Sequence, residues 1–101
     1  MLCVFQPHTY TRTARLFADF VSCFAGVDRL FLLPIYAARE KPIEGVESDV
    51  LASTIQEVGI ADATFVPDFR EAAERIRLEA GKDDLVLIVG AGDIDRLTTM
   101  L

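Results

Sequence analysis

The strongest constraint on this chain is a repeated switch between two spacings of apolar residues. Met1 to Phe5 is a continuous apolar run, the pattern of a strand buried on both faces. From Thr11 to Ala25 the apolar positions become Ala14, Leu16, Phe17, Phe20, Val21, Phe24 and Ala25. That spacing predicts one amphipathic helix, ended by Gly26. Leu30 to Leu33 is a second run, closed by Pro34. Val46, Val50, Leu51, Ile55 and Val58 mark a second helical face, with Ser48 expected as its N-cap and Gly59 just past its end. Ala63 to Val66 reads as a third strand. Asp68 with Glu71 then resembles a capping box ahead of the stripe Phe69, Ala72, Ala73, Ile76 and Ala80. Leu85 to Val89 is the most β-prone run. It is followed by Gly90-Ala91-Gly92-Asp93 and a last short helix carrying Ile94, Leu97 and Leu101.

Strands that alternate with helices specify an α/β fold. We expect a Rossmann-like, open, mainly parallel sheet of about four strands with helices on both faces. Residues 1–101 are expected to form a single α/β domain. Parallel crossovers place every strand's carboxyl end on one edge, where ligands of such sheets bind. The chain opens straight into a strand, so a piece of a longer protein is expected.

Composition removes other classes. The formal net charge is −6, which repels a phosphate backbone and an anionic bilayer, so neither nucleic acid nor membrane is an expected partner. No run of about 18 apolar residues predicts a membrane span, and no export signal is visible, which makes the cytoplasm the expected compartment. Cys3 and Cys23 each sit in an apolar pattern and read as small buried hydrophobes in a reducing compartment. With His8 as the single histidine, no Cys/His metal spacing can be drawn, and no metal site is expected.

The densest polar cluster is Gln6-Pro7-His8-Thr9-Tyr10-Thr11-Arg12-Thr13, where the first strand hands over to a helix. A helix amino end attracts anions, and Arg12 adds a planar fork for a carboxylate or phosphate. The alternative is that Thr9 or Thr11 only caps the helix, Tyr10 packs and Arg12 is solvated. His8 suits a proton carrier or a hydrogen-bonding loop residue. No nucleophile with its base is visible, so no catalytic residue is assigned. Tyr36, Arg39, Glu40 and Lys41 form a charged loop after the second strand, and Arg70 to Glu79 supplies a wet helix face with i,i+4 pairs. Gly90-Ala91-Gly92-Asp93-Ile94-Asp95 starts like a dinucleotide fingerprint, but Asp95 stands at the third glycine, so a tight turn capped by Asp93 is the simpler reading.

Three of these segments carry a resemblance. Val4-Phe5-Gln6-Pro7-His8-Thr9-Tyr10-Thr11-Arg12-Thr13 resembles a strand–helix motif in the C-terminal domain of the bacterial Mur ligases. Ile35-Tyr36-Ala37-Ala38-Arg39-Glu40, with Pro42-Ile43-Glu44-Gly45-Val46, is similar to that family's next loop, and Gly90-Ala91-Gly92-Asp93-Ile94 to its late glycine turn. The resemblance implies a Rossmann-like domain from a three-domain cytoplasmic enzyme of peptidoglycan precursor synthesis. ATP and Mg2+ would be bound mainly outside this segment. The implied reaction is amide formation between UDP-N-acetylmuramate and L-alanine through an acyl phosphate. Arg12 matches the arginine that holds the carboxylate of the incoming amino acid, and His8 and Tyr10 match positions lining the same cleft. Thr9 and Tyr36 are possible further cleft residues. Members of the family often carry a second arginine at the position of Thr9, so one carboxylate anchor fewer is implied. The phosphate loop and the sugar-binding domain lie outside the motifs, so the segment alone is expected to be inactive. Two other readings stay open: a related Mur ligase that attaches a preformed peptide during wall recycling, and a non-catalytic α/β module that binds a small anion.

Overall fold

The computed structural model describes residues 1–81 and 85–90. Its elements follow the order β1 (Leu2–Gln6), α1 (Tyr10–Arg15), α2 (Phe17–Cys23), β2 (Arg29–Leu32), α3 (Ser48–Val58), β3 (Asp62–Phe65), α4 (Phe69–Glu79) and β4 (Val86–Gly90). The strands form one parallel sheet in the order β3-β2-β1-β4. Leu2 to Phe5 pair with Arg29 to Leu32 on one side, and Leu2 to Gln6 with Val86 to Gly90 on the other. The chain steps outward from β1 to β3 and then crosses back to place β4 on the far side of β1. The described elements are thus an α/β arrangement of the expected kind. The Gly90-to-Asp93 turn and the last helix expected around Ile94, Leu97 and Leu101 lie outside the described residues, Gly90 itself excepted.

The two-residue period of the strands divides the core. Leu2, Val4, Phe31 and Leu33 face Ala72, Ala73 and Ile76 of α4. Cys3, Phe5, Leu30 and Leu32 face Phe24, Leu51, Ala52 and Ile55 from the α2–α3 side. Helices therefore cover both faces of the central strands, which is why β1 and most of β2 read as unbroken apolar runs. Full burial of such a side chain contributes about 1.5–3 kcal/mol, and Val4, Leu30, Phe31, Leu32, Leu51 and Ile55 are all 0% exposed. Phe5 packs its ring on Phe20 and Phe24 at centroid distances of 5.1 and 5.3 Å.

Four local expectations are corrected. The stretch 11–25 is two helices, α1 and α2, meeting at Leu16, whose φ of −104° and ψ of 12° leave helical geometry. Thr13 lies just before this break, and its hydroxyl donates to the Thr9 carbonyl at 2.7 Å, a back-bond that bends helices. Ser48 is not the N-cap of α3; Glu47 is, and the buried Ser48 hydroxyl donates to the Leu33 carbonyl at 2.5 Å. Val50 and Val58, placed on the apolar face by spacing, are 38% and 60% exposed, because Ala52 takes the place against the sheet. Cys3 is buried as expected, but Cys23 is exposed, since it ends α2 on the solvent side; both are free thiols. Asp68 does cap α4 through the Glu71 N–H at 2.8 Å, and Gly59 ends α3 with φ 81°.

Candidate functional site

The site begins where β1 runs out. Pro7 carries the chain past Gln6, and His8 then forms an isolated parallel bridge with Tyr36. The Tyr36 N–H donates to the Pro7 carbonyl at 2.9 Å, and the Thr9 N–H to the Tyr36 carbonyl at 2.8 Å. These bonds splice the loop after β1 to the loop after β2 at the carboxyl edge of the sheet. The His8 and Tyr36 rings stack with centroids 5.5 Å apart and planes 13° from parallel. Inside this splice, His8 Nδ1 is buried without a hydrogen-bond partner.

Thr9 starts α1. Its Oγ1 accepts from the Arg12 N–H at 3.3 Å, so it acts as a cap. Its backbone has φ 60° and ψ 150°, a region occupied almost only by glycine, at a cost of about 1–3 kcal/mol. The splice with Tyr36 and the two bonds from Thr13 to the Thr9 carbonyl hold it there.

The amino end of α1 already has an anion, and it is the protein's own. Glu40 reaches across from the loop after β2. The Thr11 N–H donates to its Oε1 at 3.0 Å, and the Thr11 hydroxyl to its Oε2 at 2.5 Å. These donors favour the charged form, so the Glu40 carboxyl lies below its ordinary 4.5. The loop reaches this position with φ 50° at Ala38 and 74° at Arg39. Glu40 is therefore more than a solvated loop charge.

Arg12 follows on the exposed side of the first turn of α1. It lines a groove of about 280 Å³ with Thr9, Thr11 and Arg15. Among the described residues neither arginine is paired with a carboxylate. Arg12 thus stands exposed at the carboxyl edge, lining a groove and without a carboxylate partner among the described residues. Tyr10 does not line this groove; it lines a separate recess of about 170 Å³ with Pro34, Ile35, Ser48 and Phe65. The structure brings Thr9 together with Arg12, and His8 with Tyr36, while Tyr10 faces elsewhere.

Three features escaped the sequence reading. Arg15 sits one turn beyond Arg12, and the shared groove wall follows from their i,i+3 spacing. Glu40 was legible only as one charge of a loop, although a carboxylate on the same edge as an open helix end is a natural partner for it. Gln6 is 7% exposed with its side-chain oxygen lacking a partner; a polar residue closing an apolar strand was the available signal.

Comparison with known proteins identifies the family. The family described as Mur ligase, glutamate ligase domain, matches residues 1–92. A UDP-N-acetylmuramate–L-alanine ligase of Clostridium perfringens (strain 13 / Type A) is 50% identical over 94 residues, covering 93% of this chain and 20% of the relative. The protein of the same name from Agrobacterium fabrum is 40% identical over 101 residues, 100% of this chain and 21% of the relative. That of Desulforapulum autotrophicum is 46% identical over 94 residues, 93% of this chain and 21% of the relative. The chain thus spans about a fifth of the length of the curated relatives it matches. With the family pattern running through nine-tenths of its residues, from β1 past the end of β4, the chain belongs to the Mur ligase family through its glutamate ligase domain.

Proposed function

We propose that this chain is the C-terminal, amino-acid-presenting domain of a three-domain UDP-N-acetylmuramate–L-alanine ligase, and that Arg12 receives the carboxylate of the incoming alanine. The observation that carries the reading is the guanidinium of Arg12, exposed at the carboxyl edge in a groove with Thr9, Thr11 and Arg15 and free of internal acidic partners among the described residues. In the proposed reaction ATP first phosphorylates the muramate carboxylate. The alanine amine then attacks the acyl carbon, the new C–N bond forms, and the C–O bond to phosphate breaks. An arginine fork holding the alanine carboxylate in two places fixes the direction of the amine, and such positioning is a large part of what an amide ligase must supply. Thr9 shapes the groove, and the stacked His8 and Tyr36 brace the loop that carries it. Tyr10 contributes through the neighbouring recess.

ATP and Mg2+ belong to the rest of the enzyme in this reading. Among the described residues no three of His, Cys, Asp and Glu converge as metal ligands. The proposed compartment is the cytoplasm; no helix of the described residues is long and apolar enough to cross a membrane.

The test uses the full-length ligase with Arg12→Ala and Arg12→Lys. Alanine-dependent phosphate release should show a KM for L-alanine raised about 10- to 100-fold in Arg12→Ala, the worth of a charge-assisted hydrogen-bond pair. Arg12→Lys should recover part of it. An unchanged KM refutes the role of Arg12. Turnover with a tripeptide but not with L-alanine would instead identify the peptide-attaching relative.

A further inference from the structure

We propose that Glu40 is a positioning residue: by strapping the loop after β2 to the first turn of α1, it sets where the Arg12 guanidinium stands. This rests on the carboxylate role of Arg12 and adds to it a residue that acts through Thr11 rather than on substrate. The helix that carries Arg12 is poorly fixed by packing. It has six residues, of which only Thr13 is buried, and it stops at Leu16. A helix of under two turns has little stability of its own, so its direction is set by what holds it. Among the described residues, every hydrogen bond that reaches its first turn from elsewhere in the chain comes from the loop after β2. The Thr9 N–H donates to the Tyr36 carbonyl at 2.8 Å. Glu40 then takes the Thr11 N–H at 3.0 Å and the Thr11 hydroxyl at 2.5 Å. Arg12 is the next residue, and its own N–H is tied to Thr9 Oγ1 at 3.3 Å.

The loop is bent sharply where it delivers Glu40. Ala38 and Arg39 are successive non-glycine residues with φ 50° and 74°, a conformation that persists only where surrounding bonds hold it. The Glu40 N–H closes the bend on the Ala37 carbonyl at 2.9 Å. Glu40 does not line the groove of Thr9, Thr11, Arg12 and Arg15. Nor does it pair with either arginine. The link from Glu40 to the guanidinium therefore runs through the Thr11 backbone and hydroxyl, not through neutralisation of its charge.

The test measures substrate KM values in the full-length ligase for Glu40→Gln, Arg12→Ala and the double variant. Glutamine keeps the length and one oxygen but loses the charge and one acceptor, so one Thr11 donor goes unpaired. Glu40→Gln should raise the KM for L-alanine about tenfold, the worth of one charge-assisted hydrogen bond. The KM values for ATP and UDP-N-acetylmuramate should stay in place, which a general loss of structure would not allow. The direction is decisive. If Glu40 acted only through space, removing a negative charge beside an anion groove would lower the alanine KM. In the Arg12→Ala background Glu40→Gln should add nothing, because no guanidinium is left to position. Thr11→Val should raise the alanine KM as well, and Thr11→Ser, which restores the hydroxyl, should bring it back. An alanine KM unchanged or lowered in Glu40→Gln, an equal rise in the KM for ATP, or a further rise on top of Arg12→Ala overturns the proposal. A raised KM in Arg12→Ala with an unchanged one in Glu40→Gln overturns it while the role of Arg12 stands; an unchanged KM in Arg12→Ala overturns both.

Discussion

Thr9 concentrates the physics of the site. Its φ of 60° and ψ of 150° store strain that glycine would not feel, while glycine gives up little of the cap. Thr9→Gly should therefore raise stability by about 1 kcal/mol after the added chain entropy is counted, read as a higher urea midpoint at unchanged slope. A lower midpoint would show that the capping hydroxyl outweighs the strain. Glu40 supplies a pH dependence. Its carboxyl is held below 4.5 first by the Thr11 hydroxyl and then by the Thr11 N–H. A depressed value means that the contribution is complete above the unfolded carboxyl range and is lost as pH falls through the folded value. The Thr11 amide resonance should move with a midpoint below 4.5, and Thr11→Val should return the Glu40 midpoint toward its ordinary value. Neither residue could be read in full beforehand. That a threonine caps α1 follows from residue type, but the backbone angle and the reach of Glu40 across 29 positions depend on two loops meeting.

At the level of elements, the sheet is clamped at its amino edge by a residue with no motif. Arg29 Nε donates to Glu79 Oε1 at 2.8 Å, and Nη1 donates to the Asp62 carbonyl at 3.0 Å and to the Thr64 hydroxyl at 2.9 Å. Its guanidinium also lies 4.7 Å from the centre of the Phe31 ring. One side chain thus ties β2 to β3 and to the end of α4, opposite the functional edge. Arg29→Met should keep the packing on Phe31 and lose the charged bonds, lowering stability by about 1–3 kcal/mol in denaturant unfolding. A change below about 0.5 kcal/mol would place the clamp among ordinary surface pairs. Strand and helix order was legible from apolar period alone. The break at Leu16 and the Glu47 cap of α3 were not, because both answer to contacts beyond their own segment, such as the bond from Ser48 to the Leu33 carbonyl.

For the whole molecule, the strand that ends the described sheet, β4, has two unlike faces. On β4, Val86 and Ile88 pack toward α4, whereas Leu87 and Val89, on the side of Cys3 and Phe5, stay 39% and 43% exposed. The chain spans about a fifth of its relatives, and under the proposed function nucleotide chemistry lies in the remainder. The isolated chain should show no alanine-dependent ATP hydrolysis in a phosphate-release assay, and measurable turnover would disprove that division. The alternation of periods in the primary structure was sufficient for the α/β class, because burying a strand on two faces demands an unbroken apolar run and burying a helix on one demands a stripe. Residue chemistry put Arg12 forward as a candidate, since few side chains grip a carboxylate so well, and its role there is the proposal made above. Only the folded chain decided which groups share a wall: Arg12 with Arg15 and Thr9, His8 with Tyr36, Glu40 with Thr11, and Tyr10 apart from them all. Those partnerships join residues from different loops, and their distances are set by the packing of the sheet rather than by any spacing along the chain.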